Sequence, residues 1–177
     1  PLQLPKSLLE GLKTHPINTS IEMQQSLNEL QPAADAVVMA AAIADLRKKG
    51  GSIPNKLSKE SLLRSIENNF EVVPDLLVEI VNKKLPGQIL LGFAALTGND
   101  SEIKELGRKK MVSKGCDLLM ANPIDRNGQG FDGNLNGGFL LGPNESVKSI
   151  PITSKLALAH QLLDALIALK PNISQNN

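Results

Sequence analysis

Residues Ala36–Ala42, AVVMAAA, constrain the fold more than any other stretch. The run carries no charge and no 3.6-residue stripe, which predicts a strand buried on both faces of a parallel sheet. It continues in small residues, Ala40 to Ala44, and meets a charge at Asp45. Small residues at the carboxyl end of a strand leave room for a ligand against the backbone, and in open α/β sheets that edge is where ligands bind. A basic loop is predicted next, with Arg47, Lys48, Lys49, two glycines, Lys56 and Lys59. Such a loop over such an edge suits an anionic substrate.

Two further apolar runs, Ile89–Ala95 and Asp117–Ala121, read as buried strands that also end in small residues. Between and around them the chain alternates. Ile17–Thr19 reads as a short strand, and Ser20 as the N-cap of a helix with Ile21, Leu27 and Leu30 as its stripe. Leu62, Leu63, Ile66, Phe70 and Val72–Val73 suggest short extended segments. Pro74–Asp75 starts a helix well, since Pro loses nothing in a first turn and Asp complements the dipole. Ser101–Lys114 is predicted helical, with Ile103, Leu106 and Val112 inward, Arg108, Lys109, Lys110 and Lys114 outward, and Gly115 as C-cap. Ile124–Gly138 reads as an ordered loop. Phe139–Leu141 and Val147–Ile152 flank a hairpin turn. A last helix, Lys155–Leu169, capped by Thr153 or Ser154, has Leu156, Ala159, Leu163 and Leu166 as its stripe. The fold class predicted is α/β: a doubly wound, mostly parallel, Rossmann-like sheet with a C-terminal antiparallel hairpin and closing helix. Residues 1–170 form one domain in this reading, and 171–177 a disordered tail.

Composition removes several function classes. A net charge of +1 gives no global field for nucleic acid or lipid. With no Trp or Tyr and four Phe, stacking platforms for bases are nearly absent. Cys116, the single cysteine, forms no intrachain disulfide and suits a reducing cytosol. His15 and His160 lie far apart, so no His/Cys metal cluster is on offer. No apolar run approaches roughly 18 residues, so no membrane span is expected. The reading is a soluble cytoplasmic domain. The GxG at Gly128–Gly130 follows a strand but opens no helix, so it is no dinucleotide fingerprint.

The chemistry is expected where three strand ends converge: Ala41–Asp45, Gly92–Thr97 and Ala121–Asn122. Lys56, Lys59, Lys110 and Lys114 are the cations placed to reach that edge, the last two on one helix face. Lysines grip phosphate as mobile point charges, and the free N–H groups of the helix starting at Pro74 would add an anion site. Asp45 could accept hydrogen bonds from a base or ribose, or cap its own turn. No Ser/His/Asp set and no paired carboxylates are present, which leaves electrostatic management of phosphates.

The order of these pieces resembles phosphopantothenoylcysteine synthetase, the synthetase half of the bifunctional coenzyme A biosynthesis flavoprotein. The matching blocks are AAAIADLR at Ala40–Arg47, NKLSK at Asn55–Lys59, VPDLL at Val73–Leu77 and LGFAALT at Leu91–Thr97. They continue with K-x3-K ending at Lys114, CDLLMANP at Cys116–Pro123, and the GF and Asn residues of Gly130–Asn136. INTSIEM at Ile17–Met23 resembles the second half-unit of the family. The resemblance implies CTP-dependent ligation of 4′-phosphopantothenate to L-cysteine through an acyl-cytidylate. It further implies Mg2+ with the nucleotide, no flavin on this domain, a homodimer, and a flavin-dependent decarboxylase fused or associated upstream. By position, Asp45, Phe93 and the turn Val73, Pro74, Asp75, Leu76 would hold the nucleotide. Lys56, Lys110 and Lys114 would contact its phosphates, Lys56 also acting as the catalytic residue, and Ala41 and Ala42 would line the phosphopantothenate pocket.

Several positions depart from the family pattern. Leu96 stands for an acidic residue, Pro123 for Asp, Leu46 for an aromatic residue, and KLSK for a richer lysine block. The Gly-rich segment of the family should precede Pro1, so the sequence is expected to be part of a longer polypeptide. The competing readings are a non-catalytic fragment or regulatory subunit that retains nucleotide binding, and a Rossmann oxidoreductase. CTP and ATP are not distinguished by these residues.

Overall fold

The computed structural model describes residues 10–50, 69–126 and 133–170. Helix α1, Ser20–Leu30, is followed by a 3-10 turn at Gln31–Ala33 and by strands β1, Ala36–Met39, and β2, Leu46–Lys48. Then come β3 (Phe70–Val72), α2 (Leu76–Asn82), β4 (Ile89–Leu96), α3 (Asp100–Lys114) and β5 (Leu118–Pro123). Strands β6 (Leu135–Leu141) and β7 (Val147–Ser154) and helix α4 (Lys155–Leu169) complete the order. One five-stranded sheet runs β1-β4-β5-β6-β7, and β2 and β3 form a separate antiparallel pair. Strands β1, β4 and β5 pair in parallel, and β6 alone reverses direction. The mostly parallel α/β sheet with its terminal hairpin and closing helix is therefore present.

Alternation along β4 divides the core. Leu90, Ala94 and Leu96 pack on one face with Leu76 and Ile80 of α2, Ile103 and Met111 of α3, and Met23 and Leu27 of α1. Ile89 and Leu91 pack on the other with Leu158, Leu162 and Leu166 of α4. β1 is not buried on both faces. It pairs only with β4 among the described strands, ends at Met39, and leaves Val38 44% exposed. Leu46–Lys48 is not loop but strand, fixed opposite Phe70–Val72 and by a 2.6 Å bond from Arg47 Nε to Glu71 Oε1.

The helices begin on strong caps, and one cap falls a residue away from expectation. Thr19, not Ser20, caps α1: its hydroxyl accepts from the Glu22 N–H at 3.2 Å and the Glu22 carboxylate accepts from the Thr19 N–H at 3.1 Å. The same carboxylate takes the Asn18 N–H, so Ile17–Thr19 leads into a cap and forms no strand. In α3 the inward positions are Ile103, Gly107 and Met111, while Leu106 and Val112 are exposed. A glycine favours that choice: a Cβ on Gly107 would stand 2.7 Å from Leu141 Cδ1 and 3.1 Å from Ala121 Cβ, so a side chain there would force Leu141 to shift. Arg108 is not purely outward either, since it donates to the carbonyls of Gly142 and Ser146 at 2.6 and 2.9 Å. Helix α4 is aliphatic on two faces, and Leu158, Leu162 and Leu166 face the sheet rather than Leu156 and Leu163. The hairpin turn Pro143–Ser146 holds Asn144 and Glu145 both in the left-handed region, at φ 52° and 58°, the geometry that matches strand twist.

Truncating the fully buried Ile103 to Ala should cost about 2–5 kcal/mol, as a cavity beneath α3 would. Val112→Ala on the opposite face should stay within about 0.5 kcal/mol. Equilibrium urea unfolding of both variants distinguishes this helix orientation from the one that places Val112 inward.

Candidate functional site

Several cavities open at the carboxyl edge of the sheet, and two of them carry the expected site residues. The first, about 300 Å3, is lined by Ala41, Ala42, Asp45, Val73, Pro74, Asp75, Leu76, Phe93 and Lys114, among others. These residues meet because the Val73 N–H donates to the Asp45 carbonyl at 2.8 Å, tying the segment after β1 to the turn before α2. Lys114, in the last turn of α3, reaches the same turn from the side and pairs with the Asp75 carboxylate. The other oxygen of Asp75 caps α2, accepting from the Val78 N–H at 3.2 Å. The helix that was to offer a free anion site therefore has seven residues and a carboxylate already at its first turn. The Asp45 carboxylate has no hydrogen bond or ion pair among the described residues.

Lys110 is exposed one turn before Lys114 and does not line this cavity. Lys56 and Lys59, and the Gly128–Gly130 segment, lie outside the described residues.

The second cavity, about 550 Å3, lies beneath α4. Ala41, Ala42 and Phe93 line it as well as the first, so one wall separates the two spaces. Asn122, Ile124, Asn136, Lys155, Leu158 and Leu162 line it too, with the small residues Ala40, Ala95 and Ala159 between them. Sequence reasoning found the Asn122 strand end but not Asn136, Lys155 or the leucines. The available signal was an Asn inside an otherwise apolar strand. A larger cavity, about 690 Å3, sits at the opposite edge near Gln88, Cys116 and Asp117. Its charged groups serve the fold: Lys84 donates to both Asp117 oxygens at 2.5 and 2.7 Å, and the Leu90 N–H donates to Asp117 Oδ2. Burial pushes the Cys116 thiol up, so it is a poor nucleophile at neutral pH. No group of three or more His, Cys, Asp and Glu able to hold a metal occurs among the described residues. No helix among them is long and apolar enough to cross a membrane.

Partial burial would raise the Asp75 carboxyl, but the Lys114 hydrogen bond and charge and the Val78 N–H outweigh it and hold it below its ordinary value. A depressed native value means the pair contributes stability above the unfolded carboxylate range and loses it as pH falls through the native value. Both partners are over a third exposed, so Lys114→Met should cost at most about 1 kcal/mol. The difference between wild type and variant should be flat above about pH 5 and shrink below about pH 4. Urea unfolding measured across that range tests this.

The chain matches the model of the DNA/pantothenate metabolism flavoprotein C-terminal domain family over residues 1–169. It is 31% identical over 176 residues to the coenzyme A biosynthesis bifunctional protein CoaBC of Bacillus subtilis strain 168, covering 99% of this chain and 41% of that protein. For the CoaBC of Mycobacterium bovis the identity is 28% over 167 residues, covering 89% and 38%. The chain thus spans about two fifths of the length of these relatives. Among solved structures, the C-terminal domain of a CoaBC protein superposes with a TM-score of 0.66 at 22% identity, over 89% of this chain and 67% of that one. A mutant protein in complex with phosphopantothenate-cysteine superposes with a TM-score of 0.61 at 14% identity, over 92% and 58%. These likenesses carry the fold, and the family match carries membership: the chain belongs to the DNA/pantothenate metabolism flavoprotein C-terminal domain family.

Proposed function

We propose that this chain ligates 4′-phosphopantothenate to L-cysteine in coenzyme A biosynthesis, using CTP through an acyl-cytidylate. The observation that carries the reading is the pair of cavities divided by Ala41, Ala42 and Phe93, one charged and one largely apolar. A nucleotide and an aliphatic acid can meet across that wall. The bifunctional names of the relatives supply the pathway.

In this reading the acid's carboxylate oxygen attacks the α-phosphorus of CTP, and the bond to pyrophosphate breaks. The cysteine amine then attacks the acyl carbon, gives up a proton and expels CMP with the bonding pair. Neither step needs a covalent enzyme intermediate, in keeping with a cavity lined by Lys114 and by no thiol or hydroxyl side chain among the described residues. Lys114 stands where the triphosphate would lie, Lys110 adds charge one turn away, and Lys56 joins them by its position in the sequence. Asp45, Phe93 and the Val73–Leu76 turn hold the nucleoside. Asp45 and the substrate phosphates fit Mg2+ that arrives with the nucleotide, and the metal would neutralise phosphate charge. The working unit is a homodimer, with a flavin-dependent decarboxylase in the remaining length of the bifunctional relatives.

Pyrophosphate release should require CTP and 4′-phosphopantothenate together, and amide formation should require L-cysteine as well. Lys114→Ala should lower kcat/KM for CTP by about tenfold or more, the scale of losing one positioned charge from a phosphate. A thermal shift with CTP and no turnover would favour the non-catalytic reading, and one with NADH an oxidoreductase.

A further inference from the structure

Ala41 and Ala42 line three spaces at the carboxyl edge, not two. The third, about 290 Å3, lies on the α1 side of the segment after β1, with Ser20, Met23, Ala44, Arg47 and Val73 around it. Arg47 is the one cationic side chain lining it among the described residues. Glu71 Oε1 holds one flank of that guanidinium, at Nε, 2.6 Å away. The far end of the fork carries a single long contact, from Nη1 to Ser20 Oγ at 3.4 Å, and Nη2 has no partner among the described residues. A guanidinium open at the end of its fork matches the two oxygens of a carboxylate. The start of α1 adds no anion site of its own, since the N–H groups of Asn18, Thr19 and Glu22 are already taken by the Glu22 carboxylate and the Thr19 hydroxyl.

Charge balance then sets the class of ligand. Glu71 already offsets Arg47, so a triphosphate would bring several charges to one compensated cation. A ligand whose own charges cancel meets no such cost, and an amino acid is that ligand. Met23 and Val73 give a short side chain, sulfur included, apolar contact. We infer that this third cavity binds the amine substrate as an α-amino acid, its carboxylate on the Nη1–Nη2 end of Arg47 and its amine turned toward Ala41 and Ala42. The inference rests on the ligase reading, which makes the amino acid L-cysteine. In that reading the nucleotide and the acid fill the first two cavities before the amine attacks, so the amine needs a third approach to the same wall. Arg47 and Ser20 also border a groove of about 520 Å3, lined by none of the residues of the first two cavities. An amino acid entering there crosses neither occupied space.

The test is a titration of the 15N-labelled 177-residue chain, followed by its amide NMR signals, with L-cysteine and with cysteamine, which lacks the carboxylate. L-Cysteine should move the signals of Ser20, Ala44 and Arg47 and bind about tenfold or more tightly than cysteamine, the scale of a charge-assisted hydrogen bond. Arg47→Gln should abolish that preference and leave CTP affinity within about twofold, whereas a purely structural loss would weaken both amines alike. Ile17→Trp, on the exposed rim of the cavity, leaves Arg47 in place and should weaken both amines even if Arg47→Gln fails to fold. Signals moving at other residues instead, equal affinity for the two amines, or no saturating response would overturn the inference. L-Cysteine bound at these residues without CTP-dependent pyrophosphate release would sustain the site and sink the ligase reading. Amide formation whose KM for L-cysteine is unmoved by Arg47→Gln would do the reverse.

Discussion

Two parallel pairings decide where this chain can hold a ligand. β1 runs beside β4 from Ala36↔Ile89 to Met39↔Gly92, and β4 beside β5 from Leu91↔Leu118 to Leu96↔Pro123. Parallel strands share a carboxyl edge, so segments far apart in sequence finish side by side. That is how Ala41, Phe93 and Asn122 come to line adjoining cavities. β6 is antiparallel to β5 and therefore begins at the edge where β5 ends, which delivers Asn136 to the same place. The two asparagines of the second cavity meet for the same reason that the sheet is mixed.

The opposite edge shows what the molecule does with polar groups that serve only the fold. Gln31 and Gln88 are buried, and their amides bond to one another and to nearby carbonyls. Gln31 Nε2 donates to the Ile80 carbonyl at 2.8 Å and to Gln88 Oε1 at 3.1 Å, while Gln88 Nε2 donates to the carbonyls of Gln31 and Ala34. Asp117 likewise takes the Leu90 N–H and both contacts of Lys84. Such a buried network fixes register, because slipping one partner strands the rest. At the carboxyl edge the Asp45 carboxylate and the Asn122 carbonyl oxygen are left incomplete among the described residues. An open carboxylate at Asp45 and a paired one at Asp117 separate the two edges more clearly than cavity volume, which is larger at the Asp117 edge.

Much of the architecture was legible in the sequence because buried strands and capped helices have local causes. The strands at Ile89 and Leu118, the αL Gly115 and the Ser154 cap appear as expected, while the Ala36 run forms a shorter and more exposed strand than its apolar sequence suggests. Side-chain facing was less legible. Periodicity counts apolar residues, so it missed Gly107, whose lack of a side chain is what lets α3 touch the sheet, and it chose between two aliphatic faces of α4 without a deciding signal. Asp45, Phe93 and the Val73–Leu76 turn, named together through the family resemblance, line one cavity, while Lys110, named with them, stands outside it. The Lys114–Asp75 pair was not legible, because it joins residues 39 positions apart through the packing of α2 on α3.

That pair bears on how the proposed triphosphate would be received. A lysine side chain loses about 1.5–2 kcal/mol of rotamer freedom when it is held in one place. Asp75 imposes that loss before a ligand arrives, and it does so through a partly exposed pair that contributes little stability of its own. A polyanion can therefore replace one carboxylate at Lys114 at small cost and find the ammonium already placed. Asp75 keeps a second task when the lysine leaves, since its other oxygen still holds the Val78 N–H and with it the first turn of α2. The turn from Val73 to Leu76 thus stays shaped while its charge is exchanged. Lys110, a turn earlier and outside the cavity, has no such placement and would act on the phosphates through its field rather than through contact.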